Sequence, residues 1–349
     1  YEFLLVFKLC RSRNRLMKAY PDNIKEISFL ASLDQSSPYP PWFAALGALG
    51  YWGIGLFGTR YPRLLSTDKV EREEPVIDTV NVRGGVEYRD AYLVDNDSRF
   101  VFSFVRSAVE SGATAANYVE LVSAERKGNR WVAQLRDVDT GEEFTTRARV
   151  LVNAAGPFVD ELNRQWGVST DHRIVYSKGI HLVVPRLTTD DHNRVLAFFD
   201  DTQRLFYVIP MGYRSVIGTT DTRVDEPFSE VTTEDRDFLL DQINRRLNLR
   251  NPLTVDDVIA ERCGVRPLVV KSSGGDQREV DWTSLSRKHA IETDRKQRLV
   301  TVFGGKLTDC LNVGEEVAAA VQKLGVPLER DLKNWYGEPG KETRAEFYR

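Results

Sequence analysis

The sequence predicts a mixed α/β (α+β) chain of two domains, and three observations carry that prediction. Arg298–Phe303 is a short apolar, β-branched run; Gly304-Gly305-Lys306-Leu307-Thr308 follows it; then Leu311, Gly314, Val317, Val321 and Leu324 recur every three or four residues. This is a buried strand, a turn and a helix, closed by Gly325 and Pro327. Val150-Leu151-Val152 reads as a second buried strand, followed by the small-residue turn Asn153-Ala154-Ala155-Gly156-Pro157. Residues 166–283 carry short strands instead, the pattern of an antiparallel domain inserted into the other one. At 349 residues the chain is long enough for two sizeable cores.

The elements follow in order. Residues 1–20 hold Lys8, Arg11, Arg13, Arg15 and Lys18 against the single acid Glu2, with Phe3, Leu4 and Phe7 as an apolar face. Such a helix either shows a solvated face or lies on an anionic membrane surface. Trp42–Gly58 is seventeen residues without a charge. It is short of the roughly 20 residues a spanning helix needs, so it reads as a buried or an interfacial helix. Thr67–Pro75 is charged and reads as a solvated loop. Asp97 reads as an N-cap, ahead of a helical stripe of Phe100, Val101, Phe104, Val105, Ala108 and Val109 that stops at Gly112.

Strands are expected at Tyr118–Arg126, at Arg130–Arg136 and from Glu143, with turns at Lys127-Gly128-Asn129 and Thr140-Gly141. Asp137-Val138-Asp139-Thr140-Gly141 lacks a third acidic ligand and the closing Glu of a calcium loop, so a hairpin turn is expected there. Further strands are expected at Gly179–Pro185, Val195–Phe199, Arg204–Pro210 and Ser215–Gly218, and a helix over Thr232–Leu247.

Composition narrows the function. Net charge is −3, which argues against a nucleic-acid partner. Cys10, Cys263 and Cys310 are far apart, with no C-x-x-C, so neither a zinc site nor a disulfide framework is indicated and a reducing cytosolic setting fits. The four histidines show no H-x-x-x-H spacing for a metal. No G-x-G-x-x-G follows a strand.

The chemistry concentrates in four separated strings. They are Ser177-Lys178-Gly179-Ile180-His181-Leu182, Ile217-Gly218-Thr219-Thr220-Asp221-Thr222, Cys263-Gly264-Val265-Arg266-Pro267-Leu268, and Gly304-Gly305-Lys306-Leu307-Thr308. Each sets a reactive polar group beside a glycine. Taken alone, the last string is either structural punctuation or a place where backbone N–H groups, a helix N-terminus and Lys306 meet an anion. A neutral imidazole at His181 suits a general base; without other support an edge-strand histidine in solvent is the better reading. Arg266, in an apolar run, either binds a phosphate or alkoxide or forms an internal salt bridge.

Together and in this order, from Tyr1 to about Gly325, these strings resemble the FAD-dependent glycerol-3-phosphate dehydrogenases, within the D-amino-acid-oxidase-like flavoproteins. The resemblance implies a two-domain FAD-dependent oxidoreductase fold with an antiparallel-sheet substrate domain. It implies a helical cap over 1–83 with possible membrane-surface contact, FAD-binding parts at 84–165 and 285–326, a substrate domain at 166–284, and the start of a further region at 327–349. The family's dinucleotide fingerprint lies ahead of this chain's first residue and a helical domain follows its last. The chain is therefore expected to be the middle of a larger enzyme, with an incomplete nucleotide-binding domain.

The implied reaction is oxidation of glycerol 3-phosphate to dihydroxyacetone phosphate. Hydride passes to FAD, and electrons pass to quinone, or to oxygen in related oxidases. The resemblance implies His181, Arg266 and Lys306 as catalytic groups, and Arg287 and Thr220 as substrate contacts. It implies Val119, Asn153, Ala155, Gly156, Gly304, Gly305, Lys306, Leu307 and Thr308 around the flavin. It places the enzyme in the cytoplasm, peripheral on the inner face of the cell membrane, and leaves a homodimer open. Asp309-Cys310, where many members read Thr-Tyr-Arg, adds a negative charge near the flavin end of the helix. Two competing readings remain: an inactive fragment without FAD, and a sister flavoenzyme acting on an amino or hydroxy acid.

Overall fold

The computed structural model describes residues 2–188, 193–272 and 288–327. In chain order the elements begin with α1 (Glu2–Ala19), β1 (Ile24–Asp34), α2 (Pro41–Ile54), β2 (Arg63–Leu65), α3 (Thr67–Glu73), β3 (Val82–Leu93) and α4 (Asp97–Glu110). Next come β4 (Val119–Lys127), β5 (Arg130–Asp137), β6 (Glu143–Ala148), β7 (Leu151–Asn153), α5 (Val159–Gln165) and β8 (His172–Pro185). The chain continues through β9 (Arg194–Phe199), β10 (Leu205–Met211), β11 (Arg214–Gly218), β12 (Thr222–Val224), α6 (Thr233–Asn244) and β13 (Ala260–Lys271). It ends in β14 (Ala290–Asp294), β15 (Leu299–Phe303) and α7 (Cys310–Lys323).

The described residues fall into two compact units. Unit 1 takes them from Tyr1–Asn14, Lys25–Tyr92 and Tyr176–Arg266; unit 2 takes them from Arg15–Ile24, Leu93–Val175 and from Pro267 onward.

Unit 1 is dominated by a sheet with the order β12-β8-β11-β10-β9-β1-β3-β2, and β13 pairs with β8. Strand β1 pairs parallel with β9, whereas β10 with β9 and β11, β8 with β11 and β12, and β2 with β3 pair antiparallel. Alternation decides what each face does. Leu30, Leu196, Val208, Ile217 and Val184 are buried in one cluster with Ile243 and Leu247. Ile180 and Leu182 cluster with Leu239 and Leu240 of α6. His181, between them on β8, points to the other face and is half-buried. Helix α6 starts where a capping box is written into the sequence: Thr232 accepts from Asp235 N–H, and Asp235 accepts from Thr232 N–H.

Unit 2 holds two three-stranded sheets, β14-β15-β7 and β4-β5-β6. Strand β15 is buried along its whole length, as its β-branched run requires, and pairs parallel with β7. Val300 packs against Ala320 and Leu324 of α7 and the segment just after it. The hairpin β5–β6 closes through Asp137, which accepts from the N–H groups of Asp139 and Thr140, so this segment is a turn.

Four expectations change. Residues 1–83, expected as a helical cap, contain strands β1 and β2 and the start of β3, all within the large sheet. Hydropathy alone concealed these strands because they bury charge: Glu87 of β3 accepts from Ser28 of β1 and pairs with Arg63 of β2. Helix α2 has no buried residue; Trp42 is 64% and Leu46 58% exposed, so the buried-helix reading of Trp42–Gly58 fails. Thr67–Pro75 is not a solvated loop. It forms α3, whose Val70 and following Glu74 are both 0% exposed, with Arg194 3.2 Å from Glu74. The cap of α4 is Asn96, one residue before Asp97; its side chain accepts from Arg99 N–H at 2.7 Å.

Candidate active site

Three of the four sequence strings meet in unit 1. Strand β11 pairs with β8 as far as Gly218 opposite His181, and β12 resumes the pairing at Thr222 opposite Lys178. Between those points Thr219, Thr220 and Asp221 pass only Gly179 and Ile180, so the turn bulges. Its Thr220 is buried, and the hydroxyl accepts from Ile180 N–H at 3.1 Å. Arg266, from β13, lays its guanidinium into this gap. Nη2 donates to Thr219 Oγ1 at 2.6 Å, and Nη1 to the Thr220 carbonyl at 3.3 Å.

The glycines in these strings make room for other side chains. A Cβ on Gly179 would overlap the Arg266 guanidinium, and one on Gly218 would stand 2.6 Å from Cδ2 of His181. Asp221 is ion-paired with Arg204 at 3.2 Å and lies 3.8 Å from Arg266. The salt bridge weighed for Arg266 is thus present in loose form, while the guanidinium stays 29% exposed. Lys178 is otherwise engaged: it is buried against Asp235, so it locks the start of α6 to the sheet. Arg204 and Asp235 gave no sequence signal, since their partners lie in distant segments.

The fourth string lies in unit 2. Strand β15 ends at Phe303; Gly304 (φ +59°) and Gly305 (φ +106°) turn the chain in conformations that side chains resist. Lys306, Leu307 and Thr308 are exposed, and a single 3₁₀ turn, Leu307–Asp309, leads into α7. Alongside, Asn153 is a buried clamp: Nδ2 donates to the Val159 carbonyl and to Asn163, and Oδ1 accepts from Ala155 N–H. Gly156 (φ +56°) has open space where a Cβ would stand. Asp309, at the start of α7, is buried with its carboxylate 2.9 Å from Nδ1 of His289, whose Nε2 faces Glu316 at 3.1 Å. His289 went unremarked in the sequence as a lone histidine. Burial pushes the neighbouring Cys310 thiol up to about 11, so it stays protonated. Val119 stands apart, on β4 of the other sheet. Arg287 lies outside the described residues.

One further string has dinucleotide-fingerprint spacing. Gly53-Ile54-Gly55-Leu56-Phe57-Gly58 follows a helix rather than a strand, and it closes α2. There Asn14 Nδ2 donates to the Gly55 carbonyl at 2.8 Å. A Cβ on Gly55 would come 2.8 Å from Arg13, and one on Gly58 would collide with Asn14. These glycines seat α1 side chains, so the string is no phosphate cradle. Among the described residues no group of three or more His, Cys, Asp or Glu stands ready for a metal.

A strand, a positive-φ turn and a fourteen-residue helix in one unit, and a sheet presenting His and Arg over glycines in the other, are the parts of a flavin-dependent oxidoreductase. Residues 36–325 match the FAD dependent oxidoreductase (DAO) family, and the chain belongs to it. The chain is 30% identical over 325 residues to D-erythritol 1-phosphate dehydrogenase of Brucella abortus, covering 90% of this chain and 61% of that protein. It is also 30% identical to mitochondrial glycerol-3-phosphate dehydrogenase of Bos taurus over 268 residues, covering 74% of this chain and 36% of that one. The FAD complex of glycerol-3-phosphate dehydrogenase from Bacillus halodurans superposes with a TM-score of 0.71 at 26% identity, covering 91% of this chain and 55% of that chain. The chain thus spans about a third to three-fifths of the length of these curated relatives. The cofactor is FAD. Gly156 leaves open space where a Cβ would stand, and Gly305–Thr308 are exposed ahead of α7, so neither turn is filled by the protein's own side chains and both have room for a bound group.

Proposed function

We propose that this chain carries substrate- and flavin-facing parts of an enzyme oxidising the secondary alcohol of glycerol 3-phosphate to dihydroxyacetone phosphate. The observation that carries the reading is the convergence of Gly179, His181, Thr219 and Arg266 in one gap of the large sheet. His181 takes the hydroxyl proton. Arg266 holds the phosphate or steadies the developing alkoxide, with Thr219 fixing its fork. Thr220, whose hydroxyl already receives a backbone N–H, shapes the turn, and Arg287 is a further substrate contact. FAD, when bound, supplies the two-electron acceptor for the hydride leaving C2. Gly304–Thr308, Ala155 and Gly156 would hold its ring, with Asn153 fixing the latter turn and Val119 a more distant contact; Lys306 and the start of α7 favour negative charge there.

Quinone as acceptor and a peripheral place on the inner face of the cell membrane belong to this proposal. The uncharged, exposed α2, with Trp42 and Phe43 outward, supports contact with lipid headgroups. No described helix is long and apolar enough to cross a membrane. A second substrate is favoured by the Brucella abortus relative, which matches more of this chain: a four-carbon polyol phosphate.

The test is the anaerobic visible spectrum of the purified chain, with turnover compared across glycerol 3-phosphate, D-erythritol 1-phosphate, lactate and D-alanine. A flavin band that bleaches fastest with glycerol 3-phosphate is expected. Preference for the erythritol ester would transfer the reading to that substrate. Preference for lactate or D-alanine would overturn the phosphate reading, and a colourless chain that takes up no FAD would mean an inactive fragment.

A further inference from the structure

Asp221 puts a negative charge in the middle of a cluster read as an anion site. Its Oδ1 accepts from Ser177 Oγ on β8. Its Oδ2 lies 3.2 Å from Arg204 Nη1, and the same Nη1 donates to the Asp221 carbonyl at 2.8 Å. Arg266 Nη1 stands 3.8 Å from Oδ1, beyond hydrogen-bond reach. The guanidinium of Arg266 is held instead by Thr219 Oγ1 and the Thr220 carbonyl, on the turn that Asp221 ends. The carboxylate thus ties that turn to β8 through Ser177 and to β10 through the residue just before it, Arg204. Two guanidiniums share this one carboxylate, which leaves the three side chains with one net positive charge.

We propose that Asp221 is a positioning residue for Arg266. It pins the Thr219–Thr220 turn so that the guanidinium lies over Gly179 in one orientation, ready for a phosphate monoester. This rests on the reading of Arg266 as the anion-holding group. The proposal makes a sign prediction that separates it from simple proximity. Removing a carboxylate near a cation ordinarily strengthens anion binding there. Removing one that orients the cation weakens it.

The experiment is calorimetric titration of the full chain with glycerol 3-phosphate and with inorganic phosphate, at fixed ionic strength. Asp221→Asn is expected to weaken both on the order of tenfold despite the lost negative charge. Asp221→Glu recovers part of the loss, and Arg204→Gln, which loosens the same carboxylate from the other side, weakens binding comparably. Unchanged or tighter binding by Asp221→Asn, or by Arg204→Gln should Asp221→Asn not fold, overturns the positioning role alone. Wild-type affinity in Arg266→Gln, or a wild-type chain that binds neither anion, overturns the anion-site reading and this role with it.

Discussion

The two units solve the same problem, presenting polar groups to a small ligand, in opposite ways. In unit 1 the groups are side chains, and Gly179 is empty so that Arg266 can lie on it, while Gly218, at φ +154°, combines a positive φ with room for His181. In unit 2 the groups are backbone, and Gly304, Gly305 and Gly156 are glycines for the sake of their own positive φ. One rule about glycine-rich motifs therefore covers two physical causes, and substitution should separate them.

The largest effect is expected at Gly304. Alanine there must adopt φ +59° and sets a Cβ 2.5 Å from Val269 Cγ2. Backbone strain of about 1–3 kcal/mol adds to overpacking of about 1–3 kcal/mol. Gly304→Ala should lower Tm sharply in thermal unfolding followed by circular dichroism, with or without ligand. Near-wild-type stability would mean that the turn relaxes freely and that unit 2 is no backbone-defined site.

Unit 1 also keeps buried charge, and this yields a pH signature. Glu74 is fully buried beside Arg194, and burial raises its carboxyl to about 7 from 4.5. Below pH 4.5 the group is protonated in both folded and unfolded chain, and its contribution to stability is intact. As pH rises through 7 the folded state must ionise it against burial, and about 3 kcal/mol is lost relative to low pH. Glu74→Gln lacks this dependence. The stability difference between variant and wild type should therefore swing by about that amount in the variant's favour between pH 4.5 and above 7, read by denaturant unfolding. A flat difference would show that Arg194 neutralises Glu74 fully.

Gly179→Ala should show the opposite character from Gly304→Ala. The atoms in the way belong to the far end of a flexible arginine, so the fold yields cheaply while the guanidinium is displaced. A displacement near 1 Å is worth about a hundredfold in rate. The expected outcome is kcat/KM down about a hundredfold with Tm nearly unchanged. Loss of both together would show that Gly179 serves packing rather than Arg266.

Legibility followed the same division. The β-branched run of β15 and the apolar repeat of α7 could be read directly, because burial there is apolar and periodic. Helix α6 was legible as a helix from Thr232, while the capping box that Thr232 and Asp235 form at its start emerged only from the structure. Strands β1 and β3 were not visible, since Ser28 and Glu87 are buried by pairing with each other and with Arg63, and hydropathy scores such residues as exposed. Helix α2 was half legible: an uncharged stretch says that water is disfavoured, without saying whether protein covers it. His181 and Arg266 stood out by chemical type. Their gathering at the bulge between β11 and β12, and the pairing of His289 with Asp309, depend on contacts across the fold that no local pattern encodes.

The smallest effect comes from the glycine string of α2, and it tests whether spacing alone means function. Gly53 lies in the helix, at negative φ, with nothing within 4 Å of a built Cβ. Were Gly53–Gly58 a phosphate cradle, a methyl group at its first glycine would obstruct the ligand and depress FAD affinity. Here the string closes a helix, its later glycines Gly55 and Gly58 receive Arg13 and Asn14, and Gly53 faces open space. Alanine should then only reduce the freedom of the unfolded chain and improve helix propensity, raising stability by about 0.5–1 kcal/mol. Gly53→Ala is expected to show a slightly higher Tm and unchanged FAD affinity by fluorescence titration. Weaker FAD binding at unaltered stability would return the string to the cofactor, and would mean that the end of α2 does more than receive the side chains of α1.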